Sequence, residues 1–365
     1  MTTDAERSLD DVAAIKRRDP GQMLDKVGRF GDQLESGWKL SRDLKLTERL
    51  HAKKAVAVLG MGGSAVCADI VRATFSDRLR APLISVRDYE LPAWVDTDTL
   101  VVAISHSGAT EETITALGTA LERRCPVAVI TTGGPIGEVA KAVDLPRLVY
   151  PNETPPRASL GYTLSLLAGL LERNGMLDLS DAEVSAAAEA ARSVRSASSA
   201  ELETAANMAK QLAWTLLDRW PIVEGAGFMA AVARRWKTQL NENSNSVASA
   251  EELPEATHNT VVGYEQPDTL RDHNFHVFLA STLDNPRNRR RARLSAEMLD
   301  TVGGTHQKVV FDQETRLAQA CAAIALGDYV SFYLALLYGV DPSATPALTL
   351  VKETLAEFEP LDAED

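Results

Sequence analysis

The sequence predicts an α/β fold: two doubly wound parallel-sheet domains with helices on both faces, preceded by N-terminal helices. Three observations predict it. Short apolar runs such as Ala55-Val-Ala-Val-Leu59 alternate with helical stretches, the pattern of strands buried on both faces of a parallel sheet. Glycine turns follow two of these strands, at Gly60-Met-Gly-Gly-Ser64 and Gly225-Ala-Gly227. The grammar of the first half then recurs in the second, which marks a loose internal duplication. A length of 365 residues suits two such units, at roughly 150 residues each.

Taken in order, residues 1–45 form an N-terminal helical segment. Leu9, Val12 and Ile15, then Met23, Val27 and Phe30, fall at helical spacing, interrupted by Asp19-Pro20-Gly21. Residues 46–175 form the first domain, with strands over 55–59, 82–86, 100–104 and 127–131 and helices after the turn at Gly60 and over 111–123. Residues 176–205, rich in Ala, Ser and Glu, are expected to be an exposed helical connector. Residues 206–365 form the second domain. Its strands lie over 220–224, 277–280 and 309–311, its turn at Gly225-Ala-Gly227, and its first helix over 228–240 with Met229, Val232 and Trp236 on one face. The stretch 318–340 is apolar enough for a membrane span. Asp328 in its middle and the turn Gly339-Val340-Asp341-Pro342 after it predict a buried core helix instead.

Composition narrows the function. Hydrophobic residues make up 45% and charged residues 24%, an ordinary globular balance. A formal charge of −13 argues against nucleic acid or an anionic membrane as the main partner. Cys67, Cys125 and Cys321 are far apart with no CxxC pair, and residues 1–19 lack the apolar run of a signal peptide. A cytoplasmic protein is expected.

Two loops can hold an anion. Gly60-Met-Gly-Gly-Ser64 brings backbone N–H groups to a helix start, and Ser105-His-Ser-Gly-Ala-Thr110 offers three hydroxyls at another. Together they suit a phosphate monoester. Ser and Thr also serve as plain helix caps. Gly60-x-Gly62-x-x-Ala65 with Asp88 fits a relaxed dinucleotide fingerprint as well, so both alternatives stand. Farther along, Glu242 follows an amphipathic helix, and His258 comes sixteen residues later (258 − 242), a carboxylate and an imidazole of the kind used in general acid–base chemistry. Arg157 lies in a stiff Pro-Pro turn, where it can meet an oxyanion or simply form a surface ion pair. The other histidines, His51, His106, His273, His276 and His306, show no metal-ligand spacing, so no metal site is expected. Arg287-Asn-Arg-Arg-Arg-Ala-Arg293 is the one basic run and reads as a solvated helix face.

In this order, Gly60-Met-Gly-Gly-Ser64, Ser105-His-Ser-Gly-Ala-Thr-Glu-Glu112, Pro156-Arg-Ala-Ser159, Asn241-Glu-Asn243 and His258-Asn259 resemble the motifs of the bifunctional phosphoglucose/phosphomannose isomerases, members of the sugar isomerase (SIS) superfamily. The resemblance implies two SIS-type domains and a phosphate cradle of Gly62, Gly63, Ser64, Ser105, Ser107 and Thr110. It implies that Glu242 shuttles a proton between C1 and C2 and that Arg157 stabilises the enediolate. His258 would open the sugar ring from the partner subunit of a homodimer, with Lys352 as helper, and Thr345 would leave room for both C2 epimers. The implied activity is a metal-free and cofactor-free interconversion of glucose 6-phosphate, and of mannose 6-phosphate, with fructose 6-phosphate. Ala109 departs from the polar residue of related loops. A non-catalytic sugar-phosphate sensor on the same fold and a dinucleotide-binding oxidoreductase are the alternatives.

Overall fold

The computed structural model of the chain describes residues 8–44, 50, 51 and 53–356. Three helices come first: α1 (Val12–Arg18), α2 (Met23–Gly28) and α3 (Phe30–Arg42). The Asp11 side chain accepts from the Ala14 N–H to start α1. The Asp19 carboxylate then accepts from the N–H groups of Met23 and Leu24 at 2.7 and 2.9 Å, so the break at Asp19-Pro20-Gly21 also begins α2.

The first sheet contains β1 (Ala55–Leu59), β2 (Leu83–Val86), β3 (Thr99–Ser105), β4 (Val127–Thr131) and β5 (Arg147–Val149). Helices α4 (Gly62–Thr74), α5 (Glu111–Glu122) and α6 (Gly134–Ala142) connect them. After a 3₁₀ turn at Pro156–Ala158 come α7 (Leu160–Arg173), α8 (Asp181–Ala197) and α9 (Met208–Leu216). The second sheet contains β6 (Trp220–Ala226), β7 (Ser249–Leu253), β8 (Asn274–Ser281) and β9 (His306–Phe311). Its helices are α10 (Phe228–Ser244), α11 (Asp268–Arg271) and α12 (Pro286–Val302), followed by α13 (Arg316–Tyr338) and α14 (Pro346–Ala356). Every strand pairing is parallel. The order β7-β6-β8-β9 of the second sheet repeats the order β2-β1-β3-β4 within the first, β2-β1-β3-β4-β5. The duplication read in the sequence is thus a repeat of topology.

Alternation along the strands divides the core. Val56, Val58, Leu100, Val102, Ala128 and Ile130 face a large cluster shared with the second sheet. Ala57, Leu59, Val101, Ala103, Val127 and Val129 face a second cluster under α5 and α6. Both faces are covered, which is why these strands read as continuous apolar runs. In the second sheet Phe275, Val277 and Leu279 join the shared core, while Phe278 meets Leu299 of α12 on the outer side. Helix α13 lies at the centre and packs on α8, α9 and α10. It is long and apolar enough to cross a membrane, but its apolar window is wholly buried within the protein.

Several expectations are corrected. Ala-rich α8 is not an exposed connector: it packs on α3 and α13 and buries Val184, Ala187, Ala188, Ala190 and Ala191. Small alanines allow that close approach, and a composition rich in Ala, Ser and Glu conceals it. The strand at 220 runs through Gly225 to Ala226, leaving only Gly227 in the turn. Helix α10 does not stop at Leu240 but continues to Ser244, so Glu242 lies in its last turn. The short edge strands β5 and β7 carry too few apolar residues to read as strands.

Candidate functional site

The two anion loops lie side by side beyond the carboxyl ends of β1 and β3, at the point where the sheet order reverses, the usual ligand position in an open parallel sheet. Gly62 opens α4 at φ +48°, and Met61, as its N-cap, contributes no side-chain cap; the Ser64 N–H donates to the Met61 carbonyl at 3.0 Å, which leaves the N–H groups of Gly62 and Gly63 open. Ser64 is buried in the first turn. In the second loop Thr110 stands at the N-cap of α5 without capping it. Its hydroxyl instead pairs with that of buried Ser105 at 2.9 Å. The plain capping explanation therefore fails for Thr110. Exposed Ser107 accepts from the Ala109 N–H at 3.2 Å.

Neighbouring groups hold this second loop rigidly. Gly108 has φ +69°, and a Cβ there would stand 1.9 Å from the Gly133 carbonyl oxygen, so no other residue fits. His106 is buried between the Tyr150 hydroxyl (3.1 Å) and the Asn152 side-chain oxygen (3.0 Å), and burial pushes its pKa below the ordinary imidazole value. It ties the loop to the segment that leads to Arg157.

Arg157 links the first domain to the second. A Cβ on Gly63 would lie 3.2 Å from the carbonyl oxygen of Pro156, so the turn bearing Arg157 abuts the glycine loop. Arg157 Nε donates to Asn243 Oδ1 at 2.8 Å, and one Nη donates to the carbonyls of Pro342 and Ser343, each at 2.8 Å. The other Nη has no protein partner among the described residues. Burial lowers the Arg157 pKa from its usual value, opposed by the nearby Glu242 carboxylate. A surface ion pair is thus the wrong description of this arginine: it is 5% exposed and bonded to an amide and two carbonyls.

Half-buried Glu242 owes its place to the α10 stripe Arg235, Gln239 and Asn243, spaced by four residues. Arg235 and Gln239 both donate to Asp328 of α13, at 3.1 and 2.7 Å, and Asn243 donates to Ser331 at 3.0 Å. Burial raises the Asp328 pKa, and Arg235 and Gln239 oppose that shift. The period-four polar pattern is visible in the sequence, but it is legible as a buried network only once Asp328 is known to face it.

Thr345 and Lys352 follow the segment that Arg157 pins at Pro342 and Ser343. Thr345 is half-buried and immediately precedes α14; Lys352 is exposed within that helix, seven residues on and therefore on the same face. His258 is not part of this cluster. Helix α10 descends from Gly227 for 17 residues, placing Glu242 roughly 20 Å from the helix start. Strand β7 then runs back parallel to β6, and His258 closes the 3₁₀ turn Glu255–His258 just beyond it. Within one chain the carboxylate and the imidazole lie at opposite ends of the second domain.

The duplication places a cleft of about 880 Å³ at the matching position of the second sheet, lined by Arg72, Gly227, Asp284, Asn285 and Arg316 among others. Gly227 has φ +53° and opens α10 as Gly62 opens α4. Here a carboxylate already occupies the helix start, because Asp284 Oδ1 lies 3.6 Å from where a Gly227 Cβ would stand. The four arginines of the lining, Arg72, Arg80, Arg234 and Arg316, are matched in number by four carboxylates, Asp69, Glu251, Glu252 and Asp284. That balance gives this cleft no preference for a phosphate.

The chain is similar to known proteins over most of its length. Residues 49–145 match the family described as "SIS domain", and residues 205–355 match "Bacterial phospho-glucose isomerase C-terminal SIS domain". The chain is 32% identical over 337 residues to a bifunctional phosphoglucose/phosphomannose isomerase from Caldicellulosiruptor bescii, covering 92% of this chain and 99% of that one. It is 32% identical over 311 residues to the protein of the same name from Aquifex aeolicus, covering 85% and 93%. A hypothetical protein from Thermus thermophilus shares the fold at TM-score 0.74 and 17% identity, covering 94% and 91% of the two chains.

Proposed function

The chain belongs to the bifunctional phosphoglucose/phosphomannose isomerase family, and from that premise we propose that it interconverts glucose 6-phosphate and mannose 6-phosphate with fructose 6-phosphate. One observation supports the reading above the others: the hydroxyl and glycine loops of the first domain lie beside Arg157, whose field and hydrogen bonds reach Glu242 and Asn243 at the end of α10. An anion grip and a base thus come from distant parts of the chain.

The phosphate binds at Gly62, Gly63, Ser64, Ser105, Ser107 and Thr110, held by helix N–H groups and neutral hydroxyls. Glu242 removes the proton from C2 of the open aldose and returns it to C1 through a cis-enediol. A positioned general base of this kind contributes about 10²–10⁴-fold. The unpartnered Nη of Arg157 stabilises the developing oxyanion, in a buried setting where such a contact is strong. A planar enediol has lost its C2 configuration, so one base serves both epimers, and Thr345 leaves room for either. His258 moves the proton between O1 and O5 that opens the ring, with Lys352 assisting. His258 lies far from Glu242 in its own chain, so the reading requires a homodimer in which each site receives the partner subunit's His258. The reaction moves protons within one molecule and calls for no redox cofactor or metal. Three buried, free thiols accord with a cytoplasmic setting.

The test is a coupled assay following fructose 6-phosphate formation from each aldose phosphate. The native chain is expected to turn over both. Glu242→Gln is expected to keep sugar-phosphate binding while losing about 10²–10⁴-fold in kcat, the contribution of a general base. Near-native kcat in that variant would remove Glu242 as the base. Binding without turnover in the native chain would instead favour a sensor.

A further inference from the structure

We propose that Arg291, within the basic run of α12, is a positioning residue for His258 and acts through the hydroxyl of Thr257. The proposal rests on the assignment of His258 to ring opening.

The His258 imidazole is exposed and has no hydrogen-bond or ion-pair partner among the described residues. Its direction is therefore set by the short turn Glu255–His258 that carries it. A bond of 2.7 Å from the Asn259 amide to Glu255 closes the turn locally, and Thr257 is the side chain that ties it to α12. Its hydroxyl donates to the Pro254 carbonyl at 2.6 Å and accepts from an Arg291 Nη at 2.6 Å. Both the donor and an acceptor of the hydroxyl are thus engaged. The bond from Arg291 is charge-assisted, the stronger kind.

Arg291 differs from its neighbours. Arg287, Arg289, Arg290 and Arg293 are exposed, as expected of a solvated face, whereas Arg291 is half-buried and points back at the turn. No carboxylate pairs with it among the described residues, so its one side-chain bond is the one to Thr257. Beyond His258 the chain is held independently. The Thr260 hydroxyl donates to Glu251 at 3.1 Å, and Tyr264 packs edge-on against His276, with 5.1 Å between ring centroids. His276 is in turn fixed by Glu224 at 2.6 Å. The segment is therefore clamped on both sides of the imidazole, and Arg291 supplies the clamp on the N-terminal side.

The experiment measures kcat and KM of the full-length protein on glucose 6-phosphate. Arg291→Ala is expected to lower kcat by between about 10-fold and about 100-fold, the effect of misplacing a catalytic group by about an ångström, with KM changed less than about twofold. Thr257→Val should reproduce that loss, and Arg291→Lys should recover part of it because an ammonium still donates one bond to the hydroxyl. In a His258→Asn background Arg291→Ala should have no further effect. Arg293→Ala should leave kcat unchanged. Full kcat in Arg291→Ala beside a clear loss in His258→Asn would overturn the positioning role and leave the histidine assignment standing. An additive loss in the double variant would also overturn it, since the arginine would then act on stability in general. Full kcat in His258→Asn would overturn the assignment itself, and the proposal with it.

Discussion

Burial pushes the Asp284 carboxyl up to about 6, opposed by the Ser281 N–H and by Arg289 and Arg316. The residue lies beside the Gly227 turn that opens α10. An acid whose folded pKa exceeds its unfolded value of about 3.9 holds its proton longer in the folded state, so folding stability falls as pH rises between those two values. Above about 6 that cost is fully present. Asp284→Asn removes the titration and keeps an acceptor for the backbone. The expected result is a Tm gain over the native chain that is small near pH 4 and grows until about pH 6, read by thermal melts across that range. A gain independent of pH would mean that the carboxylate is solvated. This residue is invisible in the sequence, where Asp284 is one acid among 51 Asp and Glu. Glu242 is legible because it lies in a recognisable Asn-Glu-Asn motif.

At the scale of elements, the seam between α10 and α13 sets the position of Glu242. Trp236 donates its indole N–H to the Ala323 carbonyl at 2.7 Å, and Gly327 opposes the same ring. A Cβ on Gly327 would stand 2.4 Å from Trp236 Nε1, and the indole is buried with nowhere to yield. Gly327→Ala is therefore expected to cost about 1–3 kcal/mol by overpacking. Because Glu242 lies in the last turn of the displaced helix, kcat should fall in the protein that still folds. Chemical denaturation and the coupled assay check the two effects separately; a native melting midpoint with native kcat would mean that the seam is plastic. The sequence reveals α13 as a core helix through Asp328 and the turn at Gly339. It carries no sign of α8 as a buried element, because alanine suits an exposed helix as well as a tight seam.

For the whole molecule, the proposed homodimer, with Glu242 and His258 of each site drawn from different subunits, predicts complementation between subunits. Glu242→Gln and His258→Asn homodimers should each be nearly inactive. When the two are unfolded together and reassembled, half of the dimers are hybrids, and each hybrid carries one site with both native groups. The mixture should recover about a quarter of native activity, as expected of a two-fold symmetric shared site. Activity no greater than the sum of the separate variants would show that each chain completes its own site. The order of strands makes the same point about legibility. Strand after strand can be read from apolar runs, yet β7 reads as polar, and only its pairing beside β6 shows that the chain returns to the far end before reaching His258.

The alternation of strand and helix, the repeat of one topology, the two loops rich in small polar residues and the family are all written in the order of the amino acids. Those features are local: periodicity, turn chemistry and motif spacing act over a few residues. Folding in three dimensions added that Arg157 is buried and pinned between Asn243 and the Pro342 and Ser343 carbonyls, that Asp284 fills the second helix start, and that Glu242 and His258 lie at opposite ends of one domain. Burial and pairing across scores of residues depend on which elements meet, and no local pattern encodes that meeting.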